Sequence, residues 1–524
     1  MGAGEVASGV PTTVGAIDVG ASAVRMVIAQ VSPTGEIEVL ERVQRAVRLG
    51  HSTFVSGRLS RQAINATIAV LRDYRRLLDT YRVERVRSVA TSAVREAANA
   101  DTFLDRAAMA VNLDIEVIER AEESRLLVSA VRHAVGSALG LGRRRALIVE
   151  VGSGSALLTV LRGGALTASE SFPIGAIRIQ ELLHTYDEPP ARAAELLRHH
   201  IANAVASARR ALALGEVDLM VAVGGDARFA AQRVGRAAPF GQGLHIVAED
   251  DLSRLVEECV QRTPEELARA YALAPDAAET LVPALLVYQA ILGAVKAREM
   301  IVAGVSIRDG LLLELARQVT GQEDAEGAQG TLRAARALAK KYRADAHHGA
   351  LVAELAVRLF NELQPEHGLR PRFRLLLQVA AILHEVGRFV SSAAHHKHSY
   401  YLISNSEVFG LRRQELSIAA HVARYHRRAG PGPTHLDYMS LPRESRLVVN
   451  KLAAILRVAD ALARRPESQG IEIQVQRRGD EVVLSVPGIT DLSLERRALA
   501  AKADLFEDTY GLSVRVEEAR APEG

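Results

Sequence analysis

The chain has 524 residues, 48% hydrophobic and 24% charged, with a net charge of +3. That length exceeds one compact core and predicts roughly three or four domains, while so small a net charge excludes a dedicated nucleic-acid binder. The single cysteine, Cys259, excludes an intramolecular disulfide or a cysteine-built metal site and fits a reducing cytoplasm.

Residues 1–13 lack the basic start and apolar run of a secretory signal. No uninterrupted apolar stretch reaches the ~20 residues of a membrane span, so a cytoplasmic protein with no membrane partner is expected. From Val14 to about Leu49, alternating apolar residues around a "SPTGE" turn predict an antiparallel meander. Helical spacing follows in "RQAINATIAVLRDYRRLLDTY", then a strand at "VRSVAT" and a helix at "SAVREAANADTFLDRAAM". "DIEVIE" reads as a strand, and "AEESRLLVSAVRHAV" as a helix with acids in its first turn.

The same order restarts at Ala146 with a hairpin, "ALTASESFPIG", a helix near 188–213, strand "LMVAVGG" and helices to about 318. This repetition predicts two similar α/β subdomains, 14–135 and 136–318, facing each other. Polar, glycine-rich "VTGQEDAEGAQGT" (319–331) reads as a linker. Residues 332–466 read as an all-helical domain and 467–524 as a small α+β domain. Three basic runs punctuate the chain: "RHH" (198–200), "HHKH" (395–398) and "RYHRR" (424–428). The first reads as solvated surface; the other two supply positive charge for a polyanion or pack between subunits.

Two hairpins share a grammar of apolar strand, acid, glycine and small residues: "AIDVGASAVRMVIAQ" (16–30) and "ALIVEVGSGSALLTV" (146–160). A third glycine turn is "VAVGGD" (221–226). Such turns let backbone N–H groups approach a phosphate, and an acid at the strand end can hold a metal or orient water. Three of them in one chain predict a phosphate cleft.

With "ATSAVREA", "EVIERAEESR", "SFPIGAIRI" and "IRDGLL" in the same order, the chain resembles the exopolyphosphatase/guanosine-pentaphosphate phosphohydrolase (Ppx/GppA) family. "LHEVGRF", "HHKHSYYLISNSEVFG" and "ERRALAAKADLFEDTYG" extend the resemblance to its longer members. The resemblance implies an actin-like fold of two ribonuclease-H-like subdomains with an HD-type helical domain. The implied ligand is inorganic polyphosphate or guanosine penta/tetraphosphate, with Mg²⁺ or Mn²⁺, and the implied assembly is a homodimer. Asp18, Gly20 and Ser22 fall on the first phosphate hairpin, Gly152, Gly154 and Ser155 on the second, and Gly224 with Gly225 on the third turn. Arg95 falls on a substrate-phosphate arginine, and Glu123, or its neighbour Glu122, on the catalytic base. Glu150 would position metal or water.

The departures from the family pattern concern the hairpins. Ala21 and Ala23 flank Ser22 where hydroxyl or amide side chains are usual. In the second hairpin Glu150 replaces an aspartate, Ala156 a threonine and Leu157 a functional glutamate; Asp226 replaces a threonine in the third turn. Losing one positioned catalytic group costs about 10² to 10⁴ in rate, whereas backbone amides persist, so binding should outlast catalysis. This leaves three readings: a phosphoanhydride hydrolase with a degenerate site, a pseudo-phosphatase that only binds, and a metal-dependent HD-type phosphohydrolase. For the last, His347 or His348, the pair His384-Glu385, and Asp460 would ligate the metal, with Glu385 standing where an aspartate is usual.

Overall fold

One sheet plan is built twice. In the computed structural model, which describes residues 10–518 except 137, 242, 323, 428, 464–472 and 487–490, the meander consists of β1 (Thr12–Val19), β2 (Ala23–Val31) and β3 (Ile37–Ala46). β4 (Arg85–Ala90) and β5 (Ile115–Val117) join in parallel on the far side of β1, giving the order β3-β2-β1-β4-β5. The second sheet repeats the antiparallel start with β6 (Arg145–Val151), β7 (Ala156–Arg162) and β8 (Ala165–Phe172). It continues through β9 (Leu219–Val223), β10 (Arg236–Ala237), β11 (Leu244–Ala248) and β12 (Glu299–Ala303). Its order, β10-β11-β12-β9-β6-β7-β8, contains β8-β7-β6-β9-β12 as the counterpart of the whole first sheet. The parallel steps need long crossovers, which the helices Arg61–Thr80 and Pro190–Ala211 supply.

β11 and β12 correct the expectation of unbroken helices to 318. Each is a five-residue, mostly apolar strand in the sheet interior, too short for periodicity to separate it from a buried helix. The expected helix at 92–109 is also divided, into Ser92–Arg95 and Ala100–Val111.

The boundary at 135/136 is crossed by packing. Helix Ile307–Thr320 returns to the first sheet, where Leu311, Leu312 and Leu315 pack against Val14, Ala16 and Val27. Helix Arg120–Val135 serves both halves: Leu126 joins that cluster, while Leu127, Val128 and Val131 pack with Ile148 and Leu161 of the second sheet. Helix Pro275–Ala294 has the length and apolarity of a membrane span by composition. It is a core helix here, with Leu281, Leu285, Val287 and Ile291 buried.

The chain divides into two compact units, 1–322 and 323–524. The expected linker is mostly helix: Ala325–Lys341 begins behind Asp324, whose side chain accepts from the Gly327 N–H. Its two glycines cost about 1 kcal/mol each relative to alanine, and Ala335 and Ala339 recover burial on its inner face. In the second unit, strands β13 (Gln474–Arg478), β14 (Glu481–Val486) and β15 (Ser513–Glu518) form a three-stranded sheet. Among the described residues this sheet has no core of its own. Val482, Leu484 and Val516 belong to the same cluster as Leu452 and Leu456 of helix Arg443–Leu462. The boundary expected at 466 lies outside the described residues.

Candidate phosphate cleft and histidine cluster

The two homologous hairpins meet tip to tip. In the first, Gly20 N–H donates to Ala23 O; in the second, Gly152 N–H donates to Ser155 O, each closing a tight turn. Ser153 Oγ donates to Ser22 Oγ at 2.8 Å, joining the tips across the halves. The N-terminus of helix Ala176–Leu183 fixes the second tip, because Ala176 N–H donates to Gly152 O and Ile177 N–H to Ser153 O. Gly175 makes this approach possible: a Cβ there would lie 2.1 Å from Ser155 N. Gly224, at the end of β9, has φ +111°, a conformation that disfavours any side chain. Gly225 is under no comparable steric demand.

Between the tips lies a cleft of about 320 Å³, bordered by Asp18, Gly20, Ser22, Glu123, Glu150, Gly152, Gly154, Ser155, Gly224 and Gly225. Strand register explains its two walls. Asp18 on β1 stands opposite Arg25 on β2, 3.9 Å apart as an ion pair. Glu150 on β6 stands opposite Leu157 on β7. The duplicated position therefore holds an arginine in one half and a leucine in the other.

The acids of the cleft influence one another. Burial pushes the Glu150 carboxyl up to about 7, reinforced by the charges of Glu123 and Asp18 and opposed by Arg25 and Arg308. Burial also raises Glu123, with Arg95 acting against it. Asp226, likewise desolvated, rises to about 7. Carboxylate oxygens bordering one cleft suit a hard divalent cation such as Mg²⁺ or Mn²⁺; Asp18, Glu123 and Glu150 are the residues that could hold it.

The structure separates Glu122 from Glu123. Glu122 is 3% exposed and pairs with Arg87 at 3.0 Å and Arg125 at 2.7 Å. Both arginines also pair with Glu314, on the returning helix Ile307–Thr320. Breaking one member of such a buried network costs about 3–5 kcal/mol, so Glu122 is structural, whereas Glu123 borders the cleft.

Arg95 is placed differently from the expectation of a phosphate clamp. Its Nη1 donates to Ile118 O at 2.6 Å and pairs with Glu123 at 3.2 Å; it is not among the residues bordering the cleft. Three arginines absent from the sequence expectations do border it: Arg25, Arg228 and Arg308. Arg308 makes no ion pair among the described residues, and burial lowers its guanidinium while Asp18 opposes that shift. Arg25 and Arg228 sit in a strand and in a helix, where an arginine reads as an outward face. "IRDGLL" did carry a signal for Arg308, since an arginine in a helix's first turn runs against the helix dipole.

In the second unit, His348, His384 and Asp460 come together with their ligand atoms within 4.8 Å of one another. His347 is exposed, and its N–H merely bonds the helix cap Asp345. Glu385 stands apart from the trio and pairs with Arg388 at 2.7 Å. The Lys502 ammonium rests on Asp460 Oδ2. The basic runs divide as well: Lys397 and Arg427 are exposed, but His395 and His426, at 5% and 2% exposure, are interior, and Arg428 lies outside the described residues. "RHH" is largely solvated.

Comparison with known proteins matches this architecture. The Ppx/GppA phosphatase family model covers residues 27–319, and the model for Ppx/GppA phosphatase domain III covers 332–506. A guanosine-5'-triphosphate,3'-diphosphate pyrophosphatase of Vibrio vulnificus is 25% identical over 90% of this chain and 91% of its own. Its namesake in Aliivibrio fischeri is 25% identical over 95% and 96%. A solved exopolyphosphatase of Cytophaga hutchinsonii shares the fold over 60% of this chain and 99% of its own, with a TM-score of 0.52 and 22% identity. With more than half of its length under the family model, the chain belongs to the Ppx/GppA phosphatase family.

Proposed function

We propose that the cleft hydrolyses the terminal phosphoanhydride of guanosine penta- or tetraphosphate, with inorganic polyphosphate as a second substrate, at a rate limited by the altered second hairpin. The observation that carries this reading is the gathering of Asp18, Glu123 and Glu150 around one space bordered by Arg25, Arg228 and Arg308. The family is generally divalent-metal dependent, and an Mg²⁺ or Mn²⁺ ion on these carboxylates would neutralise phosphoryl charge. Glu123 takes the proton of the attacking water, and Arg95 holds and tunes that carboxylate. Arg25, Arg308 and the hairpin amides bind the phosphate oxygens. Asp226 in its protonated form donates to a phosphate oxygen rather than repelling it.

The preference for a nucleotide rests on the apolar side of the cleft, where the half-buried Leu273 and Ala277 lie near Asp276 and Thr280. A nucleoside buries apolar area there that a bare phosphate chain does not. Leu157 supports the alternative of binding without turnover, since it neither orients water nor holds metal beside Glu150. For the HD-type alternative the observations are unfavourable: Glu385 is committed to Arg388, and a lysine ammonium sits on Asp460.

The test is phosphate release from guanosine pentaphosphate and from polyphosphate with Mg²⁺ or Mn²⁺, alongside equilibrium binding of both. Release abolished by Glu123→Gln and retained in His384→Gln supports the cleft. Binding without release supports the pseudo-phosphatase, and the reverse mutational pattern moves the chemistry to the second unit.

A further inference from the structure

The second hairpin lacks the polar side chains usual at positions 156 and 157, yet its backbone is arranged with its acceptors on one side. Ala176 N–H donates to Gly152 O, and the N–H groups of Ile177 and Arg178 both donate to Ser153 O, each at 3.0 Å. The next carbonyl, Gly154 O, is taken by a side chain: Arg178 Nε donates to it at 2.5 Å. Three consecutive carbonyls of the tip are thus held by helix Ala176–Leu183. The N–H groups of Ser153, Gly154 and Ser155 make no hydrogen bond among the described residues. A trans peptide holds its N–H opposite its C=O, so fixing Gly154 O on Arg178 points the Ser155 N–H away from that arginine. Gly154 and Ser155 border the cleft and Arg178 does not. The equivalent carbonyl of the first hairpin, Ser22 O, is held by backbone instead, since Val47 N–H donates to it at 2.8 Å.

Arg178 is itself fixed from the other half of the first unit. Its Nη2 lies 2.8 and 2.7 Å from the two carboxylate oxygens of Glu96. Its guanidinium carbon stands 4.1 Å from the centre of the Phe54 ring. Gly154 is pressed against the same surface, where a Cβ would come within 2.5 Å of Phe54 and of Ser92 Oγ. A planar guanidinium gripped by a carboxylate and an aromatic face has little freedom left, and its Nε is left directed at the hairpin.

We propose that Arg178 is a positioning residue for phosphate binding, holding the Gly154–Ser155 peptide with its carbonyl outward so that the second hairpin offers the cleft donors only. A row of free backbone N–H groups is an anion-binding concavity, and a flipped peptide would set a carbonyl oxygen against the phosphate. Such a hairpin binds an anion without polar side chains at Ala156 and Leu157. The inference rests on the reading of the cleft as the phosphate site.

The test is equilibrium binding of guanosine pentaphosphate and of inorganic tripolyphosphate to the full chain with Mg²⁺, beside the melting temperature of each variant. Arg178→Met keeps an apolar stem on Phe54 and removes the donors. It should bind both ligands about tenfold more weakly, the scale of one or two hydrogen bonds turned away from the ligand. Arg178→Lys restores a donor for Gly154 O and should regain much of that loss. Glu96→Gln, at an exposed position, loosens Arg178 from outside and should weaken both ligands about threefold. A folded Arg178→Met that binds as tightly as the wild type, or Met and Lys variants weakened equally, would overturn the proposal and leave Arg178 a brace between the halves. If Arg178→Met does not fold, unchanged affinity in Glu96→Gln overturns it. A wild type that binds neither ligand would instead overturn the reading of the cleft itself.

Discussion

Arg95 and Glu123 form one functional group. The guanidinium lowers the proton affinity of a carboxylate that burial raises. Replacing it in Arg95→Met leaves Glu123 beside Asp18 without that support, so Glu123 should hold its proton to higher pH. The acid limb of the pH–rate profile is then expected to move upward, with activity partly recovered at alkaline pH and substrate affinity little changed. A loss of affinity with an unmoved profile would return Arg95 to the role of phosphate clamp. Arg308 makes the opposite prediction. Lacking an ion-pair partner among the described residues and bordering the cleft, it is available to phosphate oxygens. Arg308→Ala should weaken nucleotide and polyphosphate binding by about 1.5–3 kcal/mol, the range for charge-assisted hydrogen bonds, and isothermal titration measures it.

At the level of elements, the hairpins were legible because their signal is local: period-two apolar residues, an acid, and glycine where two chain segments touch. Gly20 and Gly152 indeed close equivalent turns. What depends on register was not legible. That Arg25 lies beside Asp18, and Leu157 beside Glu150, follows from antiparallel pairing, which no linear motif states. The same holds for β11 and β12, too short to show a period, and for His395 and His426, which read as charge for a polyanion or as packing between subunits but face the interior of the second unit. Register also sharpens the repair of the second hairpin. Leu157 is 5% exposed and packs with Leu127 and Ile148, so Leu157→Glu places a carboxylate against apolar neighbours and next to Glu150. With Glu150→Asp it should raise turnover by about 10², the scale of one recovered catalytic group. It should also lower the melting temperature without metal and regain part of that loss with Mg²⁺. A stable, metal-bound double variant that stays inert would place the defect elsewhere, with Asp226 or the alanines at 21 and 23 next in line.

Across the whole molecule, the acids of the cleft make folding and cation binding compete with protons. Carboxyls of Glu150 and Asp226 titrate near 7 in the folded chain, against about 4.3 and 3.9 for unfolded Glu and Asp. Between those values the folded state binds more protons than the unfolded one, so the slope of stability with pH is negative. The metal-free protein should therefore lose stability from these groups as pH rises from about 4 to about 7, and no more above that. This sign is opposite to that of an ordinary ion-paired carboxylate. A divalent cation reverses the Glu150 part of the trend, because it binds that carboxylate in its ionised form and adds about 2.7 kcal/mol at a hundredfold excess over Kd. Thermal unfolding at pH 5 and pH 8, with and without Mg²⁺, checks the argument. Mg²⁺ should raise the melting temperature strongly at pH 8 and little at pH 5, and Glu150→Gln should flatten the metal-free slope. An Mg²⁺ effect equal at both pH values, or a slope that Glu150→Gln leaves unchanged, would mean that Glu150 does not help to hold a cation.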